Sequence, residues 1–315
     1  MFKPAILLIP LVFCSCSPRQ ANVAAGSDDK PSQAQAPAVL FPVKVDDKYG
    51  YMDRSGKIVV EPQFAGASRF SEGLAAVQKT KLGRVGYIDT TGKLAIALDF
   101  DLGEPFSEGY AAVVQDRHWG YIDKTGKLVV PCTYGSAQPF AGGRAAVATA
   151  GGGNGGEFGY INPKGEYELK QRYIMAMPFR EGLGAVRSMG ENFKFIDPSG
   201  KTVIPAQFLM AGEFAEGLAP VQAQTPEGVR WGFIDKTGKM VIPAQYSNAM
   251  PFAEGLAPIR TMTDGKWGFI DAKNKMAIPA KWDHVMPFSD GLAQVWNGDK
   301  PGYITADGKY VWEPK

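Results

Sequence analysis

The sequence predicts an all-β array of eight three-stranded meander repeats, and three observations carry that expectation. First, one phrase recurs along the chain: Trp231-Gly-Phe-Ile-Asp-Lys-Thr-Gly-Lys-Met-Val-Ile-Pro, then Tyr246, then Pro-Phe-Ala-Glu-Gly-Leu-Ala-Pro-Ile259. Its copies begin at Tyr49, Val85, Trp119, Phe158, Phe193, Trp231, Trp267 and, truncated, Pro301, with successive starts 34 to 39 residues apart. A fixed period in this range marks a repeat architecture whose units bury their apolar faces on one another. Second, each copy holds three apolar segments of four or five residues, rich in β-branched and aromatic types and bounded by Gly or Pro, which is the pattern of short strands. Third, Gly and Pro are over-used, at 38 and 23 of 315 residues, and recur too closely to leave room for long helices.

Taken in order, segment A is Leu-Ala-Pro-Val-like (Leu218 to Val221, Leu256 to Ile259, Leu292 to Val295). Segment B is Trp-Gly-Phe-Ile-Asp and segment C is Lys-Met-Val-Ile. Between B and C lies Asp-x-x-Gly-Lys. Its Asp can accept from backbone N–H groups two residues on, and its Gly supplies positive φ, so a tight hairpin is expected. The structural turn residues are therefore Gly56, Gly92, Gly126, Gly165, Gly200, Gly238 and Gly308, with Asn274 in the seventh unit. After C come Pro, an aromatic and Phe-x-Glu-Gly. The acid recurs as Glu72, Glu108, Glu181, Glu216 and Glu254, then Asp290, with Gly142 as the exception. A group repeated at one place in an array is expected to do one local job repeatedly, here capping its turn, rather than catalysis.

Residues 40–45 match segment A of a first unit, and Gly302 to Trp312 supply B and C of the last. The chain thus starts at A and stops after C, with no unit split between the ends. This favours an open β-superhelix of stacked units. The alternative is an eight-bladed β-propeller, whose blades need a fourth strand from stretches such as Tyr246 to Phe252.

The organisation is a leader at 1–15, a tether at 16–39 and the array at 40–315. Lys3 precedes an apolar run from Ala5 to Phe13 that is too short to span a bilayer and has the layout of a secretory signal. Cys16 after the small Ser15 resembles the acylated cysteine of a bacterial lipoprotein signal, which implies attachment to a membrane through Cys16. Ser17 and Pro18 lack the acidic residue that retains such proteins at an inner membrane, so an outer-membrane location follows for a Gram-negative host. Residues 17–38 contain no aromatic, Ile or Leu and cannot form a core. With Cys14 and Cys16 removed or acylated, Cys132 is a lone small core residue, and no disulfide is expected.

The phrase W-G-[YF]-I-D-x-x-G-K-x-V-I-P followed by F-x-E-G-L-A resembles the WG-repeat, or KWG-repeat, family over residues 40–315. That resemblance implies no catalytic residues. Val85, Phe158 and Phe193-Lys194 depart from Trp-Gly, and those units are expected to be looser.

Composition points the same way. The formal net charge is +2, which offers no basic field for nucleic acid. Only two histidines occur, His118 and His284, neither near a Cys or a second His, so no metal site is expected. No hydrolase, zinc-protease or phosphate-loop motif is present, and Gly151 to Gly156 lacks the Lys-Ser/Thr of a P-loop. Neither an enzyme nor a cofactor is expected.

A function is placed by the spacing. From the start of B to the end of the next A is 28 residues in all seven cases, Tyr49 to Val77 through Trp267 to Val295. All length variation falls in the A–B loops, which hold 5 to 10 residues and carry non-repeating chemistry. Loops at equivalent places project from one edge of an array, and insertions survive where backbone is unpacked. The expected partner-binding residues are Lys79, Lys81, Arg84, Arg230, Arg260 and Trp296, the last placed in a loop just past segment A. The expected role is a protein-binding scaffold. The other reading is a binder of cell-wall glycan or polysaccharide, on a faint likeness to the hairpins of choline-binding repeats.

Overall fold

Thirty strands and no helix make up the described part of the protein; the structure is a computed structural model that describes residues 39–149 and 156–313. The leader, Cys16 and nearly all of the tether, together with Gly151 to Gly155, lie outside the described residues. Unit 1 is a meander of β1 (Phe41–Val45), β2 (Lys48–Met52) and β3 (Ile58–Phe64). Unit 2 adds a fourth strand: β4 (Gly66–Ala67) lies beside β5 (Leu74–Gln78), followed by β6 (Val85–Asp89) and β7 (Leu94–Phe100). Units 5 to 8 repeat that four-stranded order. Units 3 and 4 are fused into one seven-stranded sheet, because Leu128–Ala137 runs without a break from the C strand of one unit into the short strand of the next. All pairings are antiparallel, and every B–C pair carries a register shift.

The local reasons are those of the sequence. The hairpin glycines have φ of 87° at Gly56, 85° at Gly92, 84° at Gly126, 80° at Gly165, 85° at Gly200, 86° at Gly238 and 78° at Gly308, and Asn274 takes 64°. A non-Gly side chain other than Asn or Asp would be strained there. In each Asp hairpin the carboxylate accepts from the N–H groups two and four residues on, as at Thr237 (2.9 Å) and Lys239 (3.1 Å) for Asp235. The Trp-Gly step brings two backbones together. A Cβ on Gly232 would lie 2.6 Å from the Ile242 carbonyl oxygen and 2.7 Å from the Ala244 nitrogen. Except for Leu128–Ala137 inside the fused sheet, the C strands lie at sheet edges, where Pro62, Pro205, Pro243 and Pro279 sit within them, the placement proline tolerates and one that blunts edge pairing.

Hydrogen bonds from the Ser or Thr side chain two residues on hold Asp53, Asp89, Asp123, Asp197 and Asp235 below the usual carboxylate range. Such groups contribute stability that is fully present above their unfolded pKa of about 3.9 and is lost as pH falls through their lower folded values. The protein should therefore keep its melting temperature down to about pH 4.5 and lose it steeply below pH 4. Replacing the five aspartates by Asn, which keeps the hairpin acceptor, should flatten that acid limb in a pH series of thermal melts.

Units are joined by a repeated set of contacts. Each B strand offers an aromatic ring to the Phe of the following connector: Tyr51 to Phe70, Tyr87 to Phe106, Tyr121 to Phe140, Tyr160 to Phe179, Phe195 to Phe214, Phe233 to Phe252 and Phe269 to Phe288, at 4.7 to 5.0 Å between centroids. Where that residue is Tyr, its hydroxyl donates to a carbonyl of the next unit, as from Tyr121 to Gln138 at 2.7 Å. Each hairpin glycine also faces the C strand of the unit before: Gly92 faces Val60, Gly126 faces Ile96 and Gly308 faces Ile278. Val85 (5%) and Phe193 (0%) are as buried as Trp267 (5%), and Phe158 is half-buried like Trp119 and Trp231, so burial at these positions shows no loosening. Phe193 puts a ring in that space, whereas the smaller Val85 borders a cavity.

The expected all-β array of eight meanders is present, and its end units meet. Gly56 of unit 1 faces Val311 of unit 8, repeating the hairpin contact. The Tyr303 ring packs edge-on against Phe41 at 5.6 Å, and its hydroxyl donates to the Pro42 carbonyl at 2.8 Å. Phe41, Val43, Met52, Leu292 and Tyr303 form one buried cluster. Of the two arrangements left by the sequence, the closed eight-bladed one describes these contacts. The fourth strand it requires is the short strand after C, such as Asn248–Ala249. The open superhelix was favoured because no unit is split between the termini. Closure is made by the Phe41 ring and the Pro42 carbonyl, which take the places that connector groups hold at the other junctions.

Candidate functional site

Strand alternation separates two ends of the ring. A–B loops share one end with the C-to-short-strand crossings. The B–C hairpins and Glu-Gly turns occupy the other. Contacts at the first end fit this division. The Arg84 guanidinium donates to the Asp99 carbonyl at 2.6 Å and lies 3.6 Å from the Asp101 carboxylate, joining an A–B loop to a crossing. Lys266 pairs with Asp283 at 2.5 Å, and the Gly298 N–H donates to the same carboxylate at 2.8 Å.

The structure distributes the six expected residues unevenly. Lys79 and Lys81 stand exposed on loop 79–84, with Arg84 at its foot. The other two arginines lie in strands rather than loops, Arg230 in Gly228–Ile234 and Arg260 at the end of Leu256–Arg260, and each folds back along its own hairpin. Arg230 donates to the carbonyls of Val229 (2.8 Å) and Glu227 (2.7 Å), and Arg260 to that of Gly265 (2.6 Å). Trp296 is corrected: it lies within strand Ala293–Asn297, half-buried, paired with Pro301 on one side and His284 on the other. The A strand of unit 8 runs past the repeated segment, and a boundary drawn from the repeat cut it short. His284 likewise belongs to a short strand, His284–Val285, rather than to a bare connector.

Several residues of this end were missed. Leu82 is fully exposed (101%) at the tip of the basic loop, and Met189 (70%) and Met262 (46%) occupy the same place in two other A–B loops. An aliphatic residue in a polar loop is legible from sequence, but single exposed apolar residues are common enough not to stand out. Beside loop 79–84 opens a cavity of about 210 Å³ lined by Gly66, Ala67, Gln78, Val85, Leu102 and Gly103. It exists because Gly66 opens a short strand where other units place Met175, Met210, Asn248 or His284.

The recurring acids act between units, which corrects the local capping expected of them. The Glu216 carboxylate accepts from the Gly255 N–H at 3.1 Å, and Glu72, Glu181 and Glu254 accept likewise from Gly109, Gly217 and Gly291. Glu108 takes the N–H groups of Gly142 and Gly143 at 2.7 and 2.8 Å. Each acid has a left-handed backbone, φ 51° to 56°, a conformation costly for Glu. Cys132 is partly buried, and burial pushes its thiol up, away from a reactive thiolate. Among the described residues no cluster of three or more His, Cys, Asp or Glu side chains stands where it could hold a metal ion.

A repeated sheet unit with Trp-Gly in B and Glu-Gly between units defines a class of β-repeat proteins. The WG-containing repeat family matches at residues 49–82, 86–117, 119–151, 158–191, 195–223, 231–267 and 267–300, and the chain belongs to that family. No curated protein matches the chain. Among solved structures it is similar to the computationally designed Ika8 protein, at 12% identity and a TM-score of 0.49 over 88% of this chain and 96% of that one. It is also similar to the extracellular domain of BT4673 from B. thetaiotaomicron (12%, TM-score 0.49), covering 80% of this chain and 42% of that one. Hsv2p from Kluyveromyces lactis is matched at 11% identity and a TM-score of 0.48, over 74% of this chain and 89% of that one.

Proposed function

We propose that this is an exported, lipid-anchored, non-enzymatic scaffold that binds a protein partner through the A–B loop end of its ring. One observation carries the reading. The repeated polar groups, the hairpin aspartates and connector glutamates, are engaged in turns and inter-unit bridges, while the side chains that differ from unit to unit gather at the A–B end. Within that end, loop 79–84 is the favoured contact. It holds three cations and no acid, exposes Leu82 at its tip, and borders the cavity at Gly66 and Gly103. A partner with an acidic surface and an apolar side chain to insert fits it.

The test is capture of a partner from envelope extract with intact protein and with Lys79, Lys81 and Leu82 changed to Ala. Binding should fall by about tenfold or more while thermal stability stays within about 0.5 kcal/mol. Undiminished capture, or a footprint on the B–C hairpins, overturns the assignment. Preferential sedimentation with purified wall polymer would favour the glycan-binding reading. The anchor is tested separately. Cys16→Ser should abolish incorporation of a palmitate analogue and release the protein from membranes, and unchanged labelling would remove Cys16 from the proposal.

A further inference from the structure

Between units 2 and 3 the repeat omits a ring. At six other junctions the residue that opens segment B is aromatic and packs in one apolar cluster with a residue of the next short strand: Tyr49 with Ala67, Trp119 with Ala137, Phe158 with Ala176, Phe193 with Ala211, Trp231 with Ala249 and Trp267 with Val285. In unit 2 the opening residue is Val85, and the matching residue of the next short strand is Gly103. Both are smaller than their counterparts. The short strand closes part of the gap: a Cβ on Gly103 would lie 2.9 Å from Val85 Cγ1 and 2.6 Å from the Tyr87 hydroxyl. What is left is the cavity of about 210 Å³ beside loop 79–84, with Gly66 where other units place Met175 or Met210. Its lining residues all lie within the described chain.

The walls define what fits. Ala76, Val77, Val85 and Leu102 are apolar, and a cavity of this size with apolar walls accepts a planar ring. Three polar side chains border it. Ser68 is engaged, its hydroxyl donating to the Arg69 carbonyl at 3.0 Å and accepting from the Ala76 N–H at 2.9 Å. Gln78 Nε2 donates to the Gly83 carbonyl at 3.0 Å, and Oε1 faces Gly66, where a Cβ would stand 2.9 Å from it. Glu104 takes the Tyr87 hydroxyl on its carbonyl at 2.9 Å and is itself exposed. The polar atoms on offer are thus acceptors, which suit a ring that carries an N–H and disfavour one that carries a carboxylate. Indole is such a ring. We infer that the cavity is a pocket for the indole of a partner's tryptophan, inserted where other units hold their own aromatic, with its N–H donating to Gln78 Oε1. This rests on the reading of loop 79–84 as the contact and names the side chain inserted beside it. The three cations of the loop then meet acidic residues flanking that tryptophan.

N-acetyl-tryptophanamide, a neutral copy of that side chain, tests the pocket without any partner. Titrated against the full chain and followed by saturation-transfer NMR, it should bind saturably with a dissociation constant of about 1 mM or tighter. The leucine and the N1-methylated tryptophan analogues should bind at least about threefold more weakly, the first for want of a ring and the second for want of the donor. Val85→Trp restores the ring of the repeat, and Gly66→Met copies Met175 and Met210; each should weaken binding at least about fivefold by filling the space. Gly66→Met decides the matter if melts show that Val85→Trp does not fold, since only the movable end of the Gln78 side chain stands in its way. Absence of saturable binding, equal binding of the analogues, or undiminished binding to folded Gly66→Met overturns the inference. Sustained probe binding together with undiminished partner capture by the Lys79, Lys81 and Leu82 variant would count against the loop reading alone.

Discussion

Gly232→Val should cost about 3 kcal/mol or more and lower the thermal midpoint by several degrees. The reason is backbone rather than side chain. The added Cβ would stand 2.6 Å from the Ile242 carbonyl oxygen and 2.9 Å from the Ala244 Cα, atoms of a strand that is itself paired. Neither can retreat without breaking the B–C ladder. Gly66→Ala is the informative contrast. There the nearest atom, at 2.9 Å, is the Oε1 end of the Gln78 side chain, which can swing away, so the change should stay within about 0.5 kcal/mol. Equal losses for both variants in denaturant melts would contradict this account of the Trp-Gly step.

Phe41→Ala should act on the whole ring. Truncating a buried Phe costs roughly 3 to 5 kcal/mol from lost contact and cavity formation. Phe252→Ala, of comparable burial at 3%, removes the same ring from an interior junction whose units remain joined by the Glu216-to-Gly255 bridge and a continuous chain. Among the described residues the seam has no such connector. Its aromatic contact and the Tyr303-to-Pro42 hydrogen bond are backed by Val43, Met52 and Leu292, by Gly56 against Val311 and by the exposed Arg54–Asp290 pair at 3.7 Å. Hydrogen exchange should therefore rise in β1 and in the final strands of unit 8 for Phe41→Ala. For Phe252→Ala it should rise around units 6 and 7 and leave the seam protected. Unchanged protection of β1 in Phe41→Ala would show that closure does not depend on this contact.

What could be read from the sequence follows how far apart the interacting groups lie. The Asp-x-x-Gly-Lys hairpin was legible because donor, acceptor and positive φ fall within five residues. The three strands of each meander were legible because their apolar runs repeat. The work of Glu216 was not, since Gly255 lies 39 residues away and a local turn explained the same acid equally well. The two-residue short strand has no pattern of its own; only its place beside the A strand defines it. Trp296 was misplaced because strand Ala293–Asn297 outruns the segment shared by all units. Ring closure depends on a small rotation between neighbours, accumulated eight times, and each interface reads the same in a helix as in a circle. At the candidate site, loop composition and indels mark out one end of the ring, the end proposed to bind. Which arginines point outward depended on carbonyls such as those of Val229 and Gly265, which no residue type announces.

The closing hydrogen bond from Tyr303 to Pro42 has a consequence for how such proteins change over generations. Recombination between near-identical segments readily deletes or duplicates a repeat, and in an open stack the product keeps every interface and differs only in length. Here a ring of seven or nine units would have to redistribute its curvature over all junctions or leave Tyr303 and Phe41 apart. Copy number is thus selected by geometry at one seam, and the freedom to vary is driven into the A–B loops, where a residue can be gained without altering the circumference.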